Sequence, residues 1–473
     1  MAIFSTIKLS ELEGTKRIDA EYYKPEFLDN KRLLSKRSPV TLGKVSKYIT
    51  NGHTPRYADL NIGDVYFLTA EDILDFIINF QTAKRITKED NHRFLSRTIL
   101  KVNDLLITIK GKTGNAAVVY KLPQETNINQ DVARIVLKES FNGKKLNTYF
   151  IATYINSKYG RLQSEQLSTN QINPFLGLGN LKQIEIPILT EEFQNQISNI
   201  IKESLDVFYQ SIILYSQAEN LLLEELRLKD FKPSYRKTYV ANLSNILSSN
   251  RVDAEYFHPA YDEVIEKLKE KNIELKPLRK FILNIQKGEE PGSENYQDEG
   301  IPFIRVSNLS VEGFTSRDQK YLSKELYWQL RKAYEPKPGD FLLTKDATPG
   351  IAYVVKEKIE GIISSGILKL QIDENKINKE YLALFINSKI GKMQIEKDGG
   401  GSVIIHWRPE QVKMLQVPML SNEIQRKIAS LVKESHEARN KAKNLLDLAK
   451  KAIEIAIEKN EDEAMHFLYN TSK

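Results

Sequence analysis

The chain has 473 residues, of which 41% are hydrophobic, a formal net charge of +7 and no cysteine. This length exceeds one ordinary core and the apolar content excludes a disordered chain, so two or more packed domains are expected. The missing cysteines exclude disulfides, thiolate metal sites and thiol nucleophiles, and they fit a reducing, cytoplasmic location. No stretch of about 18 apolar residues is present, so no membrane span is expected. Met1–Ser10 lacks the charged start and apolar run of a signal peptide.

In chain order, residues 1–40 read as a helical lead, with Arg17–Leu34 suited to a helix that starts near Pro25. Residues 41–190 read as a mixed domain. Strands are expected at Val65–Leu68, Asp104–Ile109, Ala116–Val119 and Arg134–Leu137, followed by a helix that carries Ile155-Asn-Ser-Lys. Residues 191–230 place Phe193, Ile197, Ile200, Ser204, Val207, Ser211, Leu214, Ala218 and Leu221 at alternating steps of four and three. That is the seam of a long helix about 50 Å in length, with Thr190 as its N-cap. Residues 231–275 hold a linker, Phe231–Asn250, and a second helical lead, Arg251–Lys271. Residues 276–420 form a second mixed domain with strands at Pro302–Val306, Asp340–Thr344, Ala352–Val355 and Ile367–Ile372. Residues 421–473 form a second long helix capped by Ser421, with Ile424, Ile428, Leu431, Ser435, Ala438, Ala442, Leu445, Ala449 and Ala452 on its seam. No Gly or Pro interrupts Met419–Lys473, so one helix is expected to its end.

The second half repeats the first. Arg17-Ile-Asp-Ala-Glu-Tyr-Tyr-Lys-Pro returns as Arg251-Val-Asp-Ala-Glu-Tyr-Phe-His-Pro, 234 residues on, and Asp104-Leu-Leu-Ile-Thr as Asp340-Phe-Leu-Leu-Thr, 236 on. Ile155-Asn-Ser-Lys returns as Ile386-Asn-Ser-Lys, Ile186-Pro-Ile-Leu as Val417-Pro-Met-Leu and Ile201-Lys-Glu-Ser as Val432-Lys-Glu-Ser, each 231 on. This is a tandem duplication. The expected fold is α+β: two homologous mixed α/β domains in tandem, separated by two long antiparallel coiled-coil helices with pseudo-twofold symmetry. The alternative, in which each helix packs only on its own domain, needs a wider apolar face.

The positive charge lies in the mixed domains. Residues 41–190 carry 19 Lys and Arg against 13 Asp and Glu, and residues 276–420 carry 22 against 19. A polyanionic partner accounts for that placement, as does ordinary solubility.

On these features the whole chain resembles the specificity subunits of type I restriction-modification enzymes. The residues that carry the resemblance are the duplicated plan, Gly63-Asp-Val-Tyr-Phe-Leu-Thr-Ala-Glu-Asp-Ile with Gly300-Ile-Pro-Phe-Ile-Arg-Val-Ser-Asn-Leu, Asn103-Asp-Leu-Leu-Ile-Thr-Ile-Lys-Gly with Gly339-Asp-Phe-Leu-Leu-Thr-Lys-Asp, and the Pro187 and Pro418 exits into long helices. The resemblance implies two target recognition domains that bind an asymmetric, bipartite site on double-stranded DNA. It implies no catalysis and no cofactor in this chain. It implies docking to two modification subunits, which methylate adenine, and to restriction subunits. The family's adjacent Glu-Gln pair at helix entry is split here, as Glu192-Phe193-Gln194 and Glu423-Ile424-Gln425. Two other classes stay open on sequence: a fused, partner-independent methyltransferase or nuclease, and a duplicated scaffold that binds polypeptide.

The candidate DNA contacts fall in loops. In the first domain they are His53, Thr54, Arg56 and Tyr57; Lys110, Lys112, Thr113 and Asn115; and Asn170, Gln171 and Asn173. In the second they are Lys287; Arg305, Ser307 and Asn308; Lys345 and Thr348, taken as the counterparts of the Lys110 loop; and His406, Trp407 and Arg408. Lysines suit phosphates, and amides suit phosphates or base edges. Lys110-Gly-Lys-Thr is no phosphate-binding loop for ATP, because Leu106 stands where that motif needs Gly. Asn173-Pro-Phe lacks the second Pro of an adenine methyltransferase motif, and the six histidines show no metal-ligand spacing, so no metal is expected.

Overall fold

A computed structural model describes residues 4–10, 12, 17–55, 61–169, 172–399 and 406–471. The chain divides into two compact units, Met1–Tyr209 with Arg439–Lys473, and Gln210–Ala438. Each unit holds one mixed domain and a part of both long helices, Glu191–Glu225 and Asn422–Glu458.

In the first unit an antiparallel four-stranded sheet runs in the order Ser46–Asn51, Val132–Leu137, Leu105–Thr108, Ala116–Val118. A three-stranded sheet pairs Val65–Leu68 antiparallel with Lys84–Ile86 and parallel with Thr126–Ile128. Leu105–Thr108 is buried along its whole length, as a central strand covered on both faces must be. The second unit repeats this topology. Its four-stranded order is Ile282–Lys287, Ile367–Ile372, Phe341–Thr344, Ala352–Val354, and its three-stranded order is Lys320–Leu322, Ile301–Ile304, Ile362–Ile363. The entry and exit of each domain pair with each other: Val40 lies opposite Ile186, and Leu275 opposite Pro418.

The repeated sequence blocks have a shared structural task. Asn156 ties its helix to the outer strand of its sheet: its Oδ1 accepts from Ala116 N at 2.9 Å and its Nδ2 donates to Ala116 O at 2.7 Å. Asn387 does the same to Ala352, again at 2.9 and 2.7 Å. Gln194 and Gln425 are buried at the starts of the long helices. Gln194 Nε2 donates to Leu189 O at 3.0 Å while its Oε1 accepts from Asn147 N at 3.1 Å, and Gln425 repeats both bonds on Leu420 and Asn378 at 2.9 and 3.0 Å. Splitting the Glu-Gln pair therefore leaves the glutamine as the tie between helix and domain. Arg17 and Arg251 stack on Tyr22 and Tyr256, 4.5 and 4.4 Å from the ring centres, while each grips the aspartate two residues on.

The expected seam positions are all buried or half-buried. In the first unit Ser204 Oγ donates to Ala442 O, and Lys441 pairs with Glu203; in the second, Ser435 Oγ donates to Ser211 O. Within each unit the segments of the two long helices therefore pack against each other. The first helix also buries a second row, Gln194, Ser198, Ile201 and Leu205, and Phe193 meets Phe150 of its own domain edge-to-face at 6.5 Å. Helix pairing and packing on the domain thus coexist, because the buried face is wider than a two-position seam. Two expectations change. The second long helix stops at Glu458, and a separate helix, Glu461–Thr471, begins where Asn460 Oδ1 accepts from Glu463 N at 2.8 Å. Inside the Phe231–Asn250 linker lies a short helix, Leu243–Ser249.

No helix among the described residues is long and apolar enough to cross a membrane, and no cluster of metal-ligating side chains occurs among them.

Candidate nucleic-acid interface

In the first domain three loops and a turn meet at one end of the four-stranded sheet. Residues 51–54 leave the strand Ser46–Asn51, residues 109–115 leave Leu105–Thr108, residues 129–131 turn into Val132–Leu137, and residues 172–176 lie against the second of these. Main-chain bonds join them: Ile109 N donates to Asp131 O at 2.9 Å, Leu176 N to Ile109 O at 2.8 Å and Gly111 N to Pro174 O at 3.1 Å. Thr54 Oγ1 donates to Gln130 Oε1 at 2.6 Å and Asn51 Nδ2 to Gln130 O at 3.2 Å. Gly52 is required here, since a Cβ would stand 1.9 Å from Ile128 O.

The second domain builds the same end. Lys345 N donates to Gly366 O at 2.9 Å, Trp407 N to Lys345 O at 2.7 Å and Ser364 N to Ile304 O at 2.8 Å. A Cβ on Gly288 would meet Ser364 O at 2.2 Å, so the counterpart of Gly52 is also a forced glycine.

The hydrogen bonds fix which residues correspond. Thr108 Oγ1 donates to Lys112 O at 2.5 Å and accepts from Asn115 N at 3.0 Å; Thr344 Oγ1 donates to Thr348 O at 2.6 Å and accepts from Ile351 N at 2.9 Å. Lys345 therefore corresponds to Ile109, and Asp346 to Lys110. Lys110 bridges to Phe175, and Asp346 bridges to His406. The expected match of Lys110 with Lys345 is off by one residue.

The candidate side chains divide into three groups. His53, Lys110, Lys112, Asn173, Lys287, Ser307, Thr348, His406 and Arg408 are exposed, and Thr54, Thr113, Arg305 and Lys345 are half-buried. Three expected contacts are instead buried and occupied within the fold. Asn115 Nδ2 donates to Ile73 O at 3.0 Å, Asn308 Nδ2 to Arg317 O at 2.6 Å, and Trp407 Nε1 to Asp398 Oδ2 at 3.2 Å. Their task is to hold loops in place, because a side chain enclosed by its own domain cannot present an edge to a duplex. Arg56, Tyr57, Asn170 and Gln171 lie outside the described residues.

Two exposed residues at this end were missed from sequence. Gln130 sits in a turn that carries no glycine or basic signal, and Phe175, 42% exposed, was read only as part of an incomplete methyltransferase motif.

The two ends differ in charge chemistry. Lys110 is 57% exposed and stands 4.0 Å from Asp131. In the second domain Asp346 Oδ2 pairs with Lys345 Nζ at 2.5 Å and Asp346 Oδ1 with His406 Nδ1 at 2.8 Å. Burial pushes the Asp346 carboxyl up, but the hydrogen bonds from Lys345 and His406 outweigh it, and the group titrates below the ordinary aspartate value. Asp346 is thus a carboxylate at neutral pH, and it accepts a hydrogen bond from Nδ1 of the histidine.

The model of the type I restriction modification DNA specificity domain matches residues 280–445. The specificity subunit of the type I restriction enzyme MjaIX from Methanocaldococcus jannaschii is 25% identical over 268 residues, 55% of this chain and 55% of that one. The match thus spans about half the length of this relative. Among solved structures, the S subunit of a type I restriction-modification system from M. genitalium aligns over 89% of this chain and 95% of that one, at 12% identity and a TM-score of 0.41. The HsdS subunit from Thermoanaerobacter tengcongensis aligns over 89% and 96%, at 13% identity and a TM-score of 0.29.

Proposed function

Because the chain belongs to the specificity-subunit family of type I restriction-modification enzymes, we propose that it recognises an asymmetric, bipartite sequence in double-stranded DNA. Each mixed domain reads one half-site through the loop end described above. The chain performs no catalysis; it directs adenine methylation by two modification subunits, or cleavage by restriction subunits, in the cytoplasm. The two long helices set the length of the unread gap.

One observation carries this reading. The same bonds around the central loop, from Thr108 and Ile109 in one domain and from Thr344 and Lys345 in the other, occur twice, and the side chains displayed there differ between the copies, Lys110 with Phe175 against Asp346 with His406. A scaffold kept while its displayed groups diverge suits two readers of different sequences. A duplicated protein-binding scaffold has no need of the basic excess in both domains.

Binding of the full-length chain to duplex DNA over a salt series tests the first step. Affinity that falls steeply and linearly with salt on logarithmic axes is expected, as phosphate contacts release counterions. Salt-independent or undetectable binding removes the reading. The purified chain alone, given duplex and methyl donor, is expected to transfer no methyl group.

A further inference from the structure

We infer that His406, held in one tautomer by Asp346, reads a base in the second domain's half-site, and that Phe175 with Lys110 occupies the same reading position in the first. The inference rests on the function proposed above and adds the residues that make the half-sites differ.

The positions are equivalent by main-chain bonds. The Leu176 N to Ile109 O bond at 2.8 Å corresponds to Trp407 N to Lys345 O at 2.7 Å, which places Phe175 where His406 stands and Lys110 where Asp346 stands. Both aromatic residues therefore leave the same point of the same loop. His406 is 64% exposed and Phe175 is 42% exposed.

The chemistry of the two pairs is opposite. In the tautomer that gives Nδ1–H to the Asp346 carboxylate, Nε2 carries a lone pair, and among the described residues it makes no hydrogen bond. A lone pair aimed outward accepts from an exocyclic amino group, N6 of adenine or N4 of cytosine. Lys345 steadies the carboxylate. Its Nζ lies 2.5 Å from Asp346 Oδ2. In the first domain Lys110 is a donor, suited to guanine O6 and N7, and the Phe175 ring is apolar, suited to a thymine methyl.

A purely structural role for the Asp346–His406 pair is not needed. The first domain makes the same main-chain bonds without any such pair.

Selection of a randomised duplex library by the full-length chain tests the inference. The unaltered chain is expected to enrich two half-site motifs. His406→Ala is expected to reduce preference at one or two base pairs of one half-site about tenfold, leaving the other half-site and the gap unchanged. Asp346→Ala should flatten the same positions, and Asp346→Asn, which keeps an acceptor for Nδ1–H, should restore part of the preference. Phe175→Ala should act on the other half-site alone. Replacing the base at the affected position by an analogue without its amino group should cost the unaltered chain affinity and cost the His406→Ala chain nothing further. An unchanged motif, or equal weakening on every sequence, overturns the role assigned to His406 while leaving DNA recognition intact. Failure of the unaltered chain to enrich any motif overturns the proposed function, and the inference with it.

Discussion

Ser204 Oγ donates to the main-chain carbonyl of Ala442 at 2.8 Å, from one long helix to the other, and both residues are buried. The bond recurs 231 residues on, where Ser435 Oγ donates to the Ser211 carbonyl at 2.7 Å. Ser211 and Ala442 are themselves repeat counterparts, so the duplication preserved donor and acceptor together. A hydroxyl that reaches the neighbouring backbone requires closely spaced helix axes, which small seam residues allow. Ser204→Ala is expected to lower stability by about 1 kcal/mol, the net worth of a typical hydrogen bond. Ser204→Leu overfills the seam and is expected to cost about 1–3 kcal/mol. Chemical denaturation of the full chain measures both, and an unchanged midpoint for the leucine variant contradicts the close packing.

The Asn156 and Asn387 amides make two bonds each to a strand edge. Asn387→Ala leaves a buried N–H and a buried carbonyl without these partners, at a cost of about 2–4 kcal/mol, whereas Asn156→Ala takes the partner from the Ala116 N–H alone, because Ala116 O also accepts from Phe76 N at 2.9 Å, at a cost of about 1–3 kcal/mol. Asn156→Asp keeps an acceptor and loses a donor, so it is expected to be destabilising as well. Denaturation midpoints of the single variants check this, and a loss below half a unit of that scale for both alanines contradicts the clamp.

Acid should weaken the helical leads in a defined direction. Hydrogen bonds from Arg17 and Arg251 hold the Asp19 and Asp253 carboxyls below the ordinary value of 3.8. A carboxyl depressed in the folded state contributes stability above its unfolded pKa and loses it as the pH falls through its folded pKa. Asp253→Asn is therefore expected to lower the melting temperature near neutral pH and to make its decline between about pH 4 and pH 2 shallower. Thermal melts across that range decide the matter, and an acid decline of equal slope in both chains contradicts it.

The gap should follow helix length. Inserting one heptad into both long helices at matched repeat positions adds about 10 Å of helix, or about three base pairs of duplex. The two half-site sequences are expected to remain as they were while the unread gap lengthens. Motif mapping of the altered chain reads both quantities together, and a changed half-site with an unchanged gap contradicts the role of the helices.

Much of the fold is legible in the sequence because it is periodic or duplicated. The seam residues from Phe193 to Leu221 lie where the alternation of four and three puts them, and the strands Leu105–Thr108 and Phe341–Thr344 follow from their apolar runs. The helix break at Asn460 is a local capping event that periodicity alone passes over. The interface is less legible. The repeat offset drifts between 231 and 236, so sequence alone leaves the loop register at Lys345 uncertain by one residue, and the Thr108 and Thr344 hydrogen bonds fix it. Exposure within a loop is set by tertiary contacts: Trp407 and His406 are neighbours in sequence, yet one is in the core and the other faces solvent. Gln130 reaches the candidate interface because two strands end there, which no local pattern announces.

A genome-wide map of N6-methyladenine, made with this gene present and with it deleted while a partner modification gene is expressed, bears most directly on the proposed function. Loss of one bipartite motif, with two defined half-sites around a fixed gap, is the expected result on deletion. An identical set of methylated motifs in both strains would contradict it.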